Sequence, residues 1–192
     1  MKRATHLLVT AGLLLLASPL AAQHEGHAGQ AMKAGLMADL MRDVEQVQTK
    51  VLGLAEAIPE SAWSWRPGEG VRSVGEVFLH IAADNYFIPT VAGAMPPAAS
   101  GIKAGDYASV QAYEGRSLDK AATVAEVKAS FEHLSQVMHQ ADEAAMDEQI
   151  QMFGQSFTRR QMWVLTTTHL HEHLGQMIAY ARSNAVVPPW SR

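Results

Sequence analysis

Two histidines four positions apart have the spacing to share a metal ion. His169 and His173 are one helical turn apart, so in an α-helix their rings project from the same face. Leu165 and Met177 flank them on that face, which makes it apolar. Burying two imidazoles without partners is costly because each keeps a polar nitrogen, and a shared metal removes that cost. Taken alone, the pair is weak evidence for a metal, and ordinary core or surface histidines are the favoured interpretation.

A metal site needs a third ligand, and His80 is the outstanding candidate. It lies in the middle of a different predicted helix, beside Phe78 and Ile81. Two histidines from one helix and one from a facing helix supply three corners of a tetrahedron. The fourth position then stays open for water or substrate, as in catalytic zinc sites. A lone histidine on a mostly apolar helix is more often structural, so this assignment requires that His80 face the other two.

The remaining charged and imidazole groups have simpler interpretations. Glu76 and Asp84 are each one turn from His80 and are candidate hydrogen-bond acceptors for it, with an ordinary solvent-facing charge favoured for Glu76. His171 is turned roughly 200° from its two neighbours and cannot join their centre. His133 and His139 lie off the apolar face of their helix, which predicts exposure to solvent.

Four amphipathic helices are predicted to position these residues, over about residues 30–58, 73–93, 123–146 and 158–184. Three of them begin with capping-box patterns, which are Ser73 with Glu76, Thr123 with Glu126, and Thr158 with Gln161. No strand-like alternation of useful length is present. A long crossover, residues 95–121, contains proline and glycine and one short helical turn around Tyr107 to Tyr113. This pattern predicts an all-α four-helix bundle with the crossover between helices 2 and 3.

The N-terminus has the order of a secretory signal peptide. Lys2 and Arg3 precede an apolar run from Leu7 to Leu20, and small residues follow, which predicts cleavage after Ala22. The run is shorter than the roughly 20 residues that span a bilayer, so no stable membrane insertion is expected after cleavage. Residues 1–22 are therefore interpreted as the signal, 23–30 as a flexible tail containing His24 and His27, and 31–192 as one domain. The protein is expected to be exported, either periplasmic or secreted.

Charge and cysteine content exclude several classes of function. The formal net charge is −4, and removal of Lys2 and Arg3 with the signal leaves 13 Lys and Arg against 19 Asp and Glu. An acidic chain of this kind lacks the basic footprint of a nucleic-acid-binding protein. The chain has no cysteine, which excludes disulfides, thiolate metal sites and cysteine nucleophiles. The short His24 and His27 tract is interpreted as an inert spacer rather than a metal-binding tail.

Several segments together resemble the DinB-like superfamily. They are Trp65-Arg66-Pro67, Ser73 to Asn85 around His80, His169 to Gln176, and Arg182 to Trp190. The resemblance implies an up-down-down-up bundle and a divalent metal, zinc or nickel, held by His80, His169 and His173. It also implies a low-molecular-weight thiol such as bacillithiol, mycothiol or glutathione, and in many members a homodimer. The family often has an acidic residue five positions after the first histidine, where this chain has Asn85.

Two hypotheses about function follow, and a third is structural. The first is an exported metal-dependent thiol transferase or hydrolase acting on a small molecule. The second is a non-catalytic extracytoplasmic bundle that binds a metal or ligand. In the third, the bundle has lost its metal and Trp63, Trp65 and Trp190 form a partner surface, although these tryptophans are expected to pack at the bundle ends. Three imidazoles suit zinc, nickel, copper and iron alike, so the ligand set does not select the metal.

Overall fold

The computed structural model describes residues 35–152 and 154–191, and these are mostly helical. The α-helices are α1 Leu36–Ala57, α2 Val74–Phe87, α3 Tyr107–Glu114, α4 Lys120–His139 and α5 Arg159–Ser183, and the strands are β1 Gln149–Met152 and β2 Gln155–Thr158. Short 3-10 turns occupy Glu60–Ala62, Ile88–Ala92, Ala98–Ser100, Glu143–Ala145 and Pro189–Ser191. None of the helices in this part of the chain combines the length and hydrophobicity needed to cross a bilayer. The predicted signal peptide and tail, residues 1–22 and 23–30, lie outside the described residues.

Helices α1, α2, α4 and α5 form a four-helix bundle, as predicted. Lys120 at the start of α4 donates to the carbonyl of Ile58 just after α1 (2.7 Å), so these helices run in opposite directions. Arg159 at the start of α5 donates to the carbonyl of Ala92 beyond α2 (2.8 Å), which makes α2 and α5 antiparallel as well. The turn that follows α5 packs near Gly53 at the end of α1, so α1 and α5 point the same way. The order is therefore up-down-down-up.

Local chemistry sets where α2 and α5 begin and where α2 ends. The predicted capping boxes at Ser73 and Thr158 are both formed, and each satisfies two backbone N–H groups at a helix start. Helix α2 stops at Phe87 rather than near Gly93. Pro89 has no N–H to donate to a carbonyl one turn back, and the chain continues as a 3-10 turn.

Helix α4 differs from its prediction at both ends. It begins at Lys120, and the carboxylate of Asp119 caps it by accepting from the Ala122 N–H (2.7 Å). The predicted capping box of Thr123 and Glu126 is therefore wrong, because an earlier N-cap places both residues inside the helix. The helix also ends at His139 instead of near Met146.

The short segment before α5 is a β-hairpin that the sequence did not predict. Strands β1 and β2 pair antiparallel, with Gln149 opposite Thr158 and Met152 opposite Gln155. Gly154 in the connection has φ +74°, a left-handed conformation that glycine adopts without steric cost. Four residues per strand are too few for alternation to be visible in the sequence.

Aromatic packing holds the first turns of α2 against the turn that follows α1. The Trp63 ring stacks on Phe78 at 5.1 Å, and its indole N–H donates to the carbonyl of Ile58 (3.3 Å). Trp65 packs edge-on against Tyr180 at 5.3 Å. Trp190, in contrast, is 42% exposed. Trp63 thus joins the turn after α1 to the helix that carries His80.

We expect Trp63→Ala to lower the free energy of unfolding by about 3–5 kcal/mol, because it removes a buried ring and its stacking contact. Trp190→Ala is the matched control and should cost clearly less, because much of its ring stays in contact with water in the folded protein. Urea denaturation followed by far-UV circular dichroism measures both values. Equal losses for the two variants would show that Trp63 does not anchor α2.

Candidate metal centre

The three predicted histidines converge on one point between α2 and α5. Each of His80, His169 and His173 offers a ring nitrogen, and these atoms all lie within 4.8 Å of one another. The Nε2 atoms of His169 and His173 are 3.1 Å apart. Ring centroids are separated by 4.4–5.3 Å, and the planes are steeply inclined. We refer to these three side chains as the histidine cluster.

Helical periodicity explains the pair on α5, and the packing of α2 against α5 supplies the third ring. Leu170 and Leu174 turn into the core, so His169 and His173 sit at the border of the core face rather than at its centre. Both are half-buried. His80 is buried, on a helix that is enclosed along most of its surface. The cluster therefore has a closed side toward α2 and a more open side along α5.

Behind His80 lies Glu114, a residue that the sequence did not single out. Its Oε1 is 2.6 Å from His80 Nδ1, and its Oε2 accepts from the Arg72 guanidinium (3.1 Å). Burial opposes ionisation, but His80 and Arg72 together keep the pKa of Glu114 below its ordinary value. Because an ionised carboxylate only accepts, His80 must donate from Nδ1, and the neutral form of the ring then has its lone pair on Nε2.

The sequence does contain a weak signal for Glu114. It is one helical turn after Val110 and next to Tyr113, and both of those residues are buried in the short helix of the crossover. A carboxylate on the inward side of a crossover helix is a candidate for a partner inside the bundle.

A second relay of hydrogen bonds orients His173. Tyr180 donates its hydroxyl proton to the carbonyl of Arg72 (3.1 Å), so it must accept from the side-chain amide N–H of Gln176 (3.0 Å). The amide oxygen of Gln176 then faces His173 Nδ1 at 2.9 Å. That oxygen can only accept, so His173 also carries its proton on Nδ1 and has a lone pair on Nε2.

The chain of hydrogen bonds behind His80 and the chain behind His173 both end on Arg72. The Arg72 guanidinium holds the acceptor of His80, and the Arg72 carbonyl holds the end of the chain that reaches His173. One residue in the loop before α2 therefore sets the tautomers of two imidazoles on different helices. This is the outer support that metal-binding histidines require.

Asp84 lies at the cluster itself. Its Oδ2 is 3.4 Å from His80 Nε2 and 3.1 Å from His169 Nε2, the inward-facing nitrogens. Asp84 and Glu76 were the predicted hydrogen-bond acceptors for His80. Asp84 lies beside the histidine cluster, but the residue that accepts from His80 Nδ1 is Glu114. Glu76 pairs with Arg66 and caps α2, so the solvent-facing interpretation favoured for it holds.

Burial keeps the cluster poor in charge. Desolvation, followed by the neighbouring imidazoles His173 and His80, lowers the pKa of His169 to about 4. Desolvation also lowers the pKa of His173. Desolvation raises the pKa of Asp84 to about 6. At neutral pH His169 and His173 are therefore uncharged, and each has a lone pair available to a cation.

The other histidines are only partly as predicted. His171 points away, is exposed, and bonds Asp43 at 2.8 Å, as expected. His139 is exposed, also as expected. The prediction for His133 is wrong, because it is buried at 8% exposure against the ring of Tyr86. Packing between α2 and α4 covers a position that helical periodicity places off the apolar face.

The donor set fits a divalent metal. Two nitrogens bound to zinc at 2.0–2.1 Å with tetrahedral angles lie about 3.3 Å apart, close to the 3.1 Å between His169 and His173. His80, Asp84 and Glu114 form a second set within 4.8 Å, but Glu114 is already paired with Arg72. The three histidines are the better ligand set.

Comparison with known proteins identifies the family. The family model of the DinB superfamily matches residues 43–177, a span that includes all three histidines. The chain belongs to the DinB superfamily, as the sequence motifs indicated. No curated protein matches the chain.

Solved structures of DinB-like proteins share the fold. One from Bacillus subtilis is 22% identical, with TM-score 0.59, over 78% of this chain and 93% of that one. Another from Bacillus cereus ATCC 10987 is 12% identical, with TM-score 0.63 over the same shares. YfiT from Bacillus subtilis, described as a probable metal-dependent hydrolase with an unusual four-helix bundle topology, is 12% identical with TM-score 0.62, over 82% of this chain and 93% of that one.

Metal analysis tests the ligand set directly. We expect one divalent metal per chain, and we expect His80→Ala, His169→Ala and His173→Ala each to weaken binding by more than the roughly 10- to 100-fold that loss of a supporting partner costs. His171→Ala, on the same helix, should leave the metal in place. Inductively coupled plasma mass spectrometry after dialysis gives the content. Retention of metal by any of the three variants would remove that residue from the site.

Tyr180 does not touch the histidine cluster, but its hydrogen bond to Gln176 should affect how tightly the cluster binds a metal. Tyr180→Phe keeps the ring but releases the Gln176 amide, so His173 can adopt the wrong tautomer. We expect metal affinity to fall about 10- to 100-fold. Tyr86→Phe, another buried tyrosine, is the control and should bind as the wild type does. Competition with a chromogenic chelator measures both, and equal affinities would disprove the relay.

Proposed function

We propose that this protein is an exported metal-dependent enzyme that hydrolyses a small molecule or transfers a thiol to it. The supporting observation is the convergence of the inward-facing nitrogens of His80, His169 and His173 beside a carboxylate. When bound, a divalent metal supplies Lewis acidity, which polarises a substrate oxygen and lowers the pKa of a water or thiol nucleophile. Zinc and nickel are the proposed metals.

The residues of the chain have distinct parts in this proposal. The three imidazoles hold the cation, and Glu114 and Gln176 keep them oriented. Asp84 is the proton acceptor, because its Oδ2 lies 3.1 Å from His169 Nε2, within reach of a nucleophile bound at the same point. The more open side along α5 admits the substrate.

The hydrolytic step follows from this placement. A water oxygen bonds to the acyl carbon of an ester or amide, and Asp84 takes one water proton. The bond from that carbon to the leaving group then breaks, and Asp84 returns the proton to the leaving group. The products are an acid and an alcohol or amine, so atoms and charge balance. A thiol nucleophile, the family-based alternative, would lose its sulfur proton to the same carboxylate.

Asp84→Asn separates chemistry from metal binding. The amide is nearly isosteric but cannot accept the proton, so we expect kcat to fall about 10²- to 10⁴-fold on a 4-nitrophenyl ester. The metal should remain, since Asp84 is not one of the three proposed ligands. Absorbance of the released nitrophenolate gives the rate, and metal analysis gives the content.

Chelation and re-addition of metal provide the second arm of the test. Activity with the ester, or with glutathione and a model electrophile, should disappear on chelation and return with zinc or nickel. Activity that persists after complete removal of metal would contradict the proposal. Tight metal binding with no turnover across esters, amides and electrophiles would favour a non-catalytic binding protein instead.

Export is the remaining part of the proposal, and it has its own measurement. Mass spectrometry of the protein secreted or released from the periplasm should give an N-terminus at Gln23, because small residues at Ala21 and Ala22 suit signal peptidase. An intact Met1 on the bulk of the protein would place it in the cytoplasm.

A further inference from the structure

A groove of about 610 Å³ opens beside the histidine cluster. Its volume is in the range of roughly 300–1,000 Å³ that small-molecule sites occupy. His80, Asp84 and His169 form its polar end. Gly105 and the polar Gln151 also line it, and the rest of the wall is apolar, from Phe87, Ile88, Val91, Tyr107, Met152 and Leu165. Any molecule whose reacting group reaches the cluster from this side must lie along that wall.

Separate parts of the fold build the wall. Leu165 is one helical turn before His169 on α5, so it continues the same face away from the cluster. Met152 comes from the hairpin and is 3% exposed. Tyr107 begins the crossover helix, is 53% exposed, and lies edge-on to Phe87 at 6.2 Å. An aromatic ring at the mouth and aliphatic groups inside suit an apolar ligand body.

The charged groups around the groove also indicate which ligands it can bind. No lysine or arginine is among the residues that the structure places along it, and the one carboxylate among them is Asp84. Arg72, which supports the cluster, is already bonded to Glu114 at 3.1 Å. A carboxylate or phosphate lying along the apolar wall, away from the histidines, would lose hydration without gaining a cationic partner.

We infer that this groove binds a small, uncharged molecule with an aromatic or aliphatic body and one polar group directed at the histidines. The inference rests on the proposed function and narrows its substrate class. It disfavours glutathione as an occupant of the groove, since its two carboxylates would lie against the apolar wall without counter-charge. An uncharged ester or amide meets both the apolar wall and the polar end.

Binding to the metal-free protein tests the groove independently of catalysis. 2-Naphthamide and 2-naphthoate share one aromatic body and differ in charge, so isothermal titration calorimetry compares them directly. We expect the amide to bind at least about tenfold more tightly than the carboxylate, and glutathione not to bind. Equal or tighter binding of 2-naphthoate or glutathione would overturn the inference, and so would failure of the amide to bind.

Two neighbouring residues on α5 provide matched variants. Leu165→Asp places a charge in the groove and should weaken 2-naphthamide binding at least about tenfold, the equivalent of roughly two buried methylene groups. Val164→Asp, at an exposed position outside the groove, should bind as the wild type does. Tyr107→Ala removes the ring at the mouth from an exposed position and should weaken binding even if Leu165→Asp disturbs folding. Unchanged binding in Tyr107→Ala and in a folded Leu165→Asp would place the ligand elsewhere.

The outcomes for the groove and for the enzyme are separable. Selective binding of the amide without turnover of a 2-naphthyl ester would retain the groove and reject the hydrolase. Turnover that is indifferent to ligand charge and to Leu165→Asp would retain the hydrolase and reject the groove as its substrate site.

Discussion

The candidate site depends on where two protons reside. His80 and His173 each hold a proton on Nδ1, because Glu114 and Gln176 offer only acceptors there. In the neutral rings that placement puts the lone pairs on the two Nε2 atoms, and the Nε2 of His173 lies 3.1 Å from that of His169. A divalent cation at this point would accept the lone pairs of several imidazoles at once, which is why the cluster suits a metal. The hydrogen-bond relays around the cluster are thus the constraint that gives the site its chemistry.

Arg72 connects this constraint to the fold. It precedes the N-cap of α2, so formation of the capping box at Ser73 fixes its backbone, and its carbonyl is then available to Tyr180 on α5. Its side chain reaches Glu114 at the end of α3. One loop residue therefore ties the start of α2 to the end of α5 and to the crossover. The long crossover is part of the site for the same reason, since it contributes Glu114 behind the cluster and Tyr107 at the mouth of the groove.

The acidic residue at the site is four positions after His80, whereas the resemblance led us to expect one five positions after it. Five positions after His80 the chain has Asn85, which donates to Ser130 on α4 at 3.1 Å and joins the two helices. Four positions after His80 is Asp84, which lies on the same helical face as His80 and reaches the cluster. A step of one residue turns a helical side chain by about 100°, so the two positions serve different neighbours. The sequence alone places an acid near the first histidine, but only the packing assigns it to the cluster and not to the α2–α4 interface.

The features that the sequence alone determined depend on neighbouring residues or on the periodicity of the helix. Spacing of four fixed His169 and His173 on one face and excluded His171, because these relations depend only on the pitch of the helix. The capping boxes at Ser73 and Thr158 were likewise readable from neighbouring residues. Glu114, Arg72 and Tyr180 could not be assigned in this way, since their partners lie far along the chain and lone charged or aromatic residues have no periodic signal. Burial of His133 and the early start of α4 were also decided by contacts between helices and by competition between caps. Tertiary packing alone brought His80 to the α5 pair, because the distance between two helices is not encoded in the spacing along either one.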